Sequence, residues 1–226
     1  MHPTWKSKFQ LKTGKWVFEP SDAGRLVGAK IKEKIEKDWV VPDYFYHLKK
    51  GGHVSAVRTH LDSTYFARVD IENFFGSINR SRLTRCLNKR MSYLAARDWT
   101  KSSTVIAPNG KKRYIVPFGF VQSQILAALC LHESALGICL QKLNKQIDLK
   151  ISVYVDDIIV SSDNEDACAQ ALSLLITAAD RAKFKLSDEK REGPAKSITA
   201  FNIDLSHNSM ELHHERFNEF RAKLLA

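Results

Sequence analysis

Two adjacent carboxylates, Asp156 and Asp157, lie between two short runs rich in β-branched residues, Ile151-Ser152-Val153-Tyr154-Val155 and Ile158-Ile159-Val160. Such runs joined by a two-residue turn predict a β-hairpin. Asp-Asp at its tip places both carboxylates at the mouth of a sheet, where they can share divalent cations. Asp also favours turns for purely local reasons, so the pair carries weight only with a third acidic group. Asp70 supplies it. Tyr65-Phe66-Ala67-Arg68-Val69-Asp70-Ile71 reads as a strand entering a core, with the carboxylate at its exit. Three carboxylates on neighbouring strands can hold two Mg²⁺ ions roughly 3.5–4 Å apart, the arrangement that activates an attacking 3′-hydroxyl and stabilises a leaving pyrophosphate. Oxygen-only ligands suit Mg²⁺, a hard ion that binds through one or two carboxylates and substrate phosphates.

The elements that must position these groups can be read around them. After Asp70 the chain turns toward a helix beginning near Asn79 or Ser81. Ser21-Asp22 caps a predicted helix running through Arg25, Val27, Ile31 and Ile35 and ending before Pro42. Gly51-Gly52 breaks the chain before a short helix. From Ser123, the apolar residues Ile125, Leu126, Leu129, Leu136, Leu140 and Leu143 keep a helical period, which predicts a helical segment packed beneath the catalytic sheet. A second amphipathic helix is predicted over 167–182, with Leu172, Leu175, Ile176 and Ala179 inward. Helices on one side of an antiparallel sheet make the expected fold class α+β.

Three motifs now stand in order: Asp70-Ile71-Glu72-Asn73-Phe74-Phe75-Gly76-Ser77-Ile78, Pro117-Phe118-Gly119-Phe120-Val121-Gln122-Ser123-Gln124-Ile125-Leu126-Ala127, and Tyr154-Val155-Asp156-Asp157. Together they resemble the reverse transcriptases, and the central one resembles the bacterial retron-like, abortive-infection and defence-associated branch. The resemblance implies a right-hand polymerase palm with partial fingers. It places fingers over 1–64 and 80–115, palm over 65–79 and 116–205, and a C-terminal helix, a thumb remnant, over 206–226. It also implies an RNA-directed DNA polymerase, a nucleotidyltransferase using two Mg²⁺ ions with Mn²⁺ able to substitute, acting on an RNA and DNA template and primer with dNTPs, and serving antiviral defence.

The same resemblance implies roles for individual residues. Asp70, Asp156 and Asp157 are the catalytic carboxylates, and Asp70, Ile71, Asp156 and Asp157 the metal-holding positions. Lys12-Thr13-Gly14-Lys15 resembles the fingers element that holds the triphosphate, with Trp16 where the family usually has Arg. Leu186-Ser187-Asp188-Glu189-Lys190 resembles the element that brings a lysine near the leaving pyrophosphate, and Phe201-Asn202-Ile203 a degraded primer grip. The nucleotide-binding set is therefore Lys12, Lys15, Phe75, Gly119, Ser123 and Lys190. Phe75, five residues after Asp70, matches the steric gate that leaves little room for a 2′-hydroxyl and selects dNTPs.

Composition agrees. The 226 residues carry 35 Lys and Arg against 25 Asp and Glu, a net charge of +10, which suits contact with a phosphate backbone. Arg80, Arg82 and Arg85 crowd one predicted helix, and Lys111, Lys112 and Arg113 follow an Asn109-Gly110 turn that predicts a second hairpin. These six are the expected nucleic-acid-binding residues. The four cysteines show no Cys-x-x-Cys spacing and fall in predicted helices, as expected of reduced thiols in a cytoplasmic protein. No membrane contact is expected. About two dozen residues follow Phe201, so the thumb is expected to be minimal or absent and a partner protein or oligomer to supply its function.

Other readings share these residues. One is untemplated or protein-primed DNA synthesis by a defence-type enzyme. Another is a palm-fold subunit that binds nucleic acid without catalysis, against which the intact carboxylates argue. A third is an RNA-templated RNA polymerase, against which Phe75 argues.

Overall fold

The computed structural model describes residues 4–108, 112–214, 216–218 and 221. In chain order, strands β1 (Trp5–Lys12) and β2 (Lys15–Pro20) precede helix α1 (Asp22–Asp38), α2 (Gly52–Arg58), β3 (Tyr65–Asp70), α3 (Phe74–Ser77), α4 (Arg80–Leu87) and α5 (Tyr93–Ser102). The short strands β4 (Val105–Ile106) and β5 (Tyr114–Ile115) are followed by α6 (Ser123–His132), α7 (Ala135–Leu143), β6 (Lys150–Tyr154), β7 (Asp157–Ser162) and α8 (Glu165–Arg181). Four further strands follow: β8 (Glu192–Ala195), β9 (Ser197–Ala200), β10 (Ile203–Ser206) and β11 (Ser209–Leu212). The protein is α+β, and all strand pairs in its sheets are antiparallel.

The chain forms two compact units, 43–72 with 135–226, and 1–42 with 73–134. The first holds a four-stranded sheet in the order β6-β7-β3-β8 and a three-stranded sheet in the order β11-β10-β9. Strand β7 is buried along Ile158–Ser162, as its continuous β-branched run requires of a strand covered on both faces. Helix α8 packs on β3, β7 and β8, and α7 on α8. The stripe Cys168, Ala171, Leu172, Leu175, Ala178 and Ala179 on α8 is buried, close to the predicted inward face. Phe66, Ile159, Val57, Ile198 and Leu205 form a second cluster between the sheets and α2.

In the other unit, α6 is apolar on every face and buried from Ile125 to Leu131, which marks it as a central helix. Helices α1, α3 and α4 pack against it. Ser21 caps α1, accepting from the Gly24 amide at 3.1 Å. The buried face of α1 is Gly24, Gly28, Ile31 and Ile35, and Val27 is 40% exposed. The glycines win that face because the helix comes very close to its neighbours. A Cβ on Gly28 would lie 2.3 Å from Oε1 of the buried Gln122.

Two further expectations are corrected. The helical period from Ser123 to Leu143 is interrupted at Glu133-Ser134. Lys89 and Arg90 hold the Glu133 carboxylate at 2.8 and 2.6 Å, and the Ser134 hydroxyl donates to the Leu131 carbonyl at 2.6 Å. The helix expected over 206–226 is strand as far as Leu212: Ser206 pairs with Ser209 and Ile203 with Leu212, and Asn208 takes the left-handed conformation (φ 56°) that the tight turn needs. Helical residues follow at 214, 216–218 and 221. Strands β4 and β5 pair as predicted, while the Asn109-Gly110 turn lies outside the described residues. All four cysteines are free and within helices. Among the described residues, no single helix is long and apolar enough to cross a membrane.

Candidate active site

Asp70 ends β3 and pairs directly with Asp157, the first residue of β7. Asp156 occupies the turn between β6 and β7. One oxygen from each of the three carboxylates lies within 4.8 Å of the others. Asp70 is buried at 4% exposure, and the other two are half-buried. Burial, reinforced by repulsion from Asp157 and Asp70, pushes the Asp156 carboxyl up to about 6. Burial also raises the Asp157 carboxyl, although the Arg68 guanidinium opposes it. Burial first, and repulsion from neighbouring carboxylates second, oppose the negative charge on Asp156 and Asp157. A hard divalent cation with oxygen ligands compensates that charge, so the donor set fits Mg²⁺ or Mn²⁺.

The hairpin differs in register from the one predicted. Tyr154 pairs with Asp157, so the two turn residues are Val155 and Asp156, and Asp157 belongs to the strand. Val155 sits at φ 60°, a conformation that costs a β-branched residue on the order of 1–3 kcal/mol. Its amide donates to Nδ1 of His47 at 3.0 Å. Burial lowers the His47 imidazole to about 4, so the ring is neutral and free to accept that bond. The strained turn aims Asp156 beside Asp70 and lets its carbonyl accept from the Ile71 amide at 2.9 Å.

A second strap holds the exit of β3. The Ser187 amide donates to the Asp70 carbonyl at 2.9 Å and the Glu72 amide to the Lys185 carbonyl at 2.8 Å. These bonds lay the segment from Lys185 to Lys190 along the strand, and Lys190 Nζ reaches Asp70 Oδ2 at 2.8 Å. The bond to Asp70 raises the Lys190 ammonium above its ordinary value. Ile71 is fully buried, so its carbonyl oxygen is the one group it can offer a metal.

Arg68 is a site residue that the sequence reading passed over. Its Nε and one terminal nitrogen both donate to Asp157 Oδ1, at 2.9 and 2.6 Å. The other terminal nitrogen reaches the Thr199 carbonyl at 2.6 Å and Glu192 at 3.3 Å. The signal was present: a cation two residues before Asp70 in an otherwise apolar strand shares its face. The Tyr154 ring also meets His53 and Phe201 edge to face, and His53 and Phe201 pack tilted against each other, with ring centroids 5.3–5.8 Å apart.

The remaining candidates belong to the other unit. Phe75 is buried against Phe74 and Phe118, its centroid 4.5 Å from that of Phe118. Lys15 Nζ lies 4.5 Å from the centre of the Phe118 ring. Ser123 opens α6, with its hydroxyl buried and without a partner among the described residues. Gly119 has an intramolecular requirement. At φ +100°, a Cβ there would meet the Phe18 carbonyl oxygen at 2.3 Å, where the Phe18 amide bonds the Phe118 carbonyl at 2.9 Å. Gly119→Ala is expected to destabilise the protein by about 2 kcal/mol or more, read as a lower urea midpoint. Arg80, Arg82 and Arg85 lie on α4 as predicted, Arg82 half-buried and Arg85 exposed. Arg113 donates to the Gly76 carbonyl at 2.9 Å, and Lys112 is exposed. Lys111 and the side chain of Lys12 lie outside the described residues.

Comparison with known proteins agrees with this geometry. Residues 10–201 match the family described as "Reverse transcriptase (RNA-dependent DNA polymerase)". No curated protein matches the sequence. Among solved structures, the fold is similar to a foamy viral protease-reverse transcriptase in complex with double-stranded DNA, at TM-score 0.53 and 17% identity over 95% of this chain and 31% of that one. It is similar to telomerase from Candida albicans in complex with a telomeric RNA fragment, at TM-score 0.56 and 11% identity over 84% of this chain and 38% of that one. Apo telomerase from Candida tropicalis gives TM-score 0.60 and 13% identity over 86% of this chain and 40% of that one. The chain thus spans less than half the length of each of these proteins. With its family matched along most of the sequence, the chain belongs to the reverse transcriptases.

Proposed function

We propose that the chain is an RNA-directed DNA polymerase that adds dNTPs to a primer 3′-hydroxyl. The observation that carries this reading is the convergence of Asp70, Asp156 and Asp157 within 4.8 Å in a chain of this family. Two Mg²⁺ ions, for which Mn²⁺ can substitute, would supply Lewis-acid activation of the hydroxyl and charge neutralisation at the leaving pyrophosphate. Asp70 and Asp156 would hold them directly, with Asp157, pinned by Arg68, as the peripheral ligand. The Ile71 carbonyl completes the set. Lys190 lies against Asp70 and can transfer its charge to the pyrophosphate once a cation neutralises that carboxylate. Lys12 and Lys15 would neutralise triphosphate charge, Gly119 and Ser123 would shape the floor beneath the nascent base pair, and Arg80, Arg82, Arg85, Lys111, Lys112 and Arg113 would contact template and primer.

Supplying one dNTP at a time on primed homopolymeric RNA tests this reading. Extension only by the complementary nucleotide supports it. Equal extension by any dNTP, or extension without RNA, would replace it with untemplated synthesis. The form of the central motif, Pro117 to Ala127, favours the defence-associated branch, and the four free cysteines suit a reducing cytoplasm.

Selection of dNTPs is assigned to Phe75. Phe75→Ala is expected to raise the ratio of rNTP to dNTP incorporation by about tenfold or more. Its ring is also core, so the variant loses about 3 kcal/mol of stability. The incorporation ratio, which is insensitive to the folded fraction, is therefore the readout, and an unchanged ratio removes the gate.

A further inference from the structure

We propose that an open cleft in the unit formed by residues 1–42 and 73–134 binds single-stranded nucleic acid, by stacking bases on tyrosine and holding phosphates with arginine and lysine. The class of ligand rests on the polymerase reading above; the site itself rests on the cleft. Its volume is about 530 Å³, and Arg80, Tyr93, Arg97, Lys112, Arg113 and Tyr114 line it with no acidic residue among its walls. Four cations therefore face one concavity without an anion to neutralise them. Two are already placed by other groups. The Arg80 guanidinium carbon lies 3.4 Å from the centre of the Tyr114 ring, its Nε donates to Thr104 Oγ1 at 3.1 Å, and Arg113 donates to the Gly76 carbonyl. Arg97 and Lys112 are exposed and belong to no ion pair among the described residues, so they are free to take phosphates.

The aromatic residues decide the form of the strand. Tyr93 is 57% and Tyr114 39% exposed. A duplex presents phosphates to such a cleft while its base faces stay occupied by stacking, which would leave Tyr93, and the face of Tyr114 that Arg80 does not cover, without a base to stack on. An unpaired strand offers base faces and phosphates together, and every base has a face to stack. This narrows the basic residues expected from sequence. Arg97 and Tyr93 join the set, while half-buried Arg82 and exposed Arg85 do not line the cleft.

Fluorescence anisotropy tests the site with short labelled DNA and RNA single strands and a blunt duplex of the same sequence. The full chain carries Asp156→Asn and is kept in EDTA, so binding is read without chemistry and whether or not the protein synthesises DNA. Tyr93→Ala is expected to weaken single-strand binding by about tenfold and leave duplex binding unchanged. Arg97→Gln with Lys112→Gln is expected to reduce the slope of log affinity against log salt by about 1.4, or about 0.7 for each phosphate that is no longer neutralised. Lys142→Gln with Arg181→Gln, which removes equal charge from the other unit, should leave that slope nearly unchanged. Weaker binding of either the DNA or the RNA strand by the cleft variants supports the site. Unchanged single-strand binding in both, or an equal weakening for the duplex, overturns it.

Discussion

Asp156→Asn is expected to make the metal-free protein more stable at pH 8 while removing its activity. The Asp156 carboxyl stands at about 6 in the folded protein against an ordinary 3.8, so the fold binds this proton more tightly than the unfolded chain does. Stability from that preference is complete below about pH 4 and is lost as pH rises through 6. The loss reaches about 3 kcal/mol, from two pKa units at 1.36 kcal/mol each. Asn does not ionise and so escapes it. In EDTA, the stability advantage of the variant over the parent should therefore grow between pH 4 and pH 7, as the difference between their urea midpoints across that range will show; contributions shared by both proteins, such as that of the buried His47 imidazole, cancel in the difference. Saturating Mg²⁺ should narrow or reverse the difference at pH 8, because the cation binds the parent's folded state alone. A variant less stable than its parent at pH 8 in EDTA would mean that Asp156 is a structural hydrogen-bond partner. The same linkage makes the divalent-ion affinity of the parent fall about tenfold per pH unit below 6, since the cation must then displace a proton.

Arg68→Met is expected to have the opposite effect, and a larger one. Arg68 and Asp157 have side-chain exposures of 13% and 12%, and the guanidinium also serves Glu192 and the Thr199 carbonyl. Removing the cation leaves a buried carboxylate without its counter-charge, which costs about 3–5 kcal/mol. Because Asp157 is already raised by burial and restrained by Arg68, its carboxyl should rise further in the variant. The penalty should then be smaller at pH 5 than at pH 8. Adding Asp157→Asn should restore part of the stability, which a double-mutant cycle of urea midpoints will measure. A loss below about 1 kcal/mol at both pH values would show that the pair is solvated like a surface ion pair.

The clustered carboxylates were legible because strand patterning and chemistry coincide there. Tyr65–Asp70 and the two runs around Asp156 are strands by composition, and although one Asp at a turn has a local structural use, three acidic residues at the ends of such strands point together to a shared cation. The register of the turn was less legible, because it depends on Val155 accepting a left-handed conformation that its type disfavours, with His47, 108 residues away, bonding its amide. Arg68 was hidden for a similar reason. A cation in a strand declares itself only when Asp157, Glu192 and Thr199 are known to surround it. The buried face of α1 was only half legible, because Gly24 and Gly28 look neutral in a hydrophobic pattern, whereas close approach of neighbouring groups makes them buried beside Ile31 and Ile35. Gly119 was expected to make room for substrate. The structure shows that it first makes room for the Phe18 carbonyl.

Primer extension on an RNA template, by the parent and Asp156→Asn in the same buffer with Mg²⁺, tests the polymerase assignment most directly. The parent is predicted to extend the primer with the template's complement. The variant is predicted to be slower by a factor on the order of 10³ or more, as several kcal/mol of transition-state charge stabilisation are lost. Extension by Asp156→Asn at the parent's rate would contradict the assignment of catalysis to the three carboxylates.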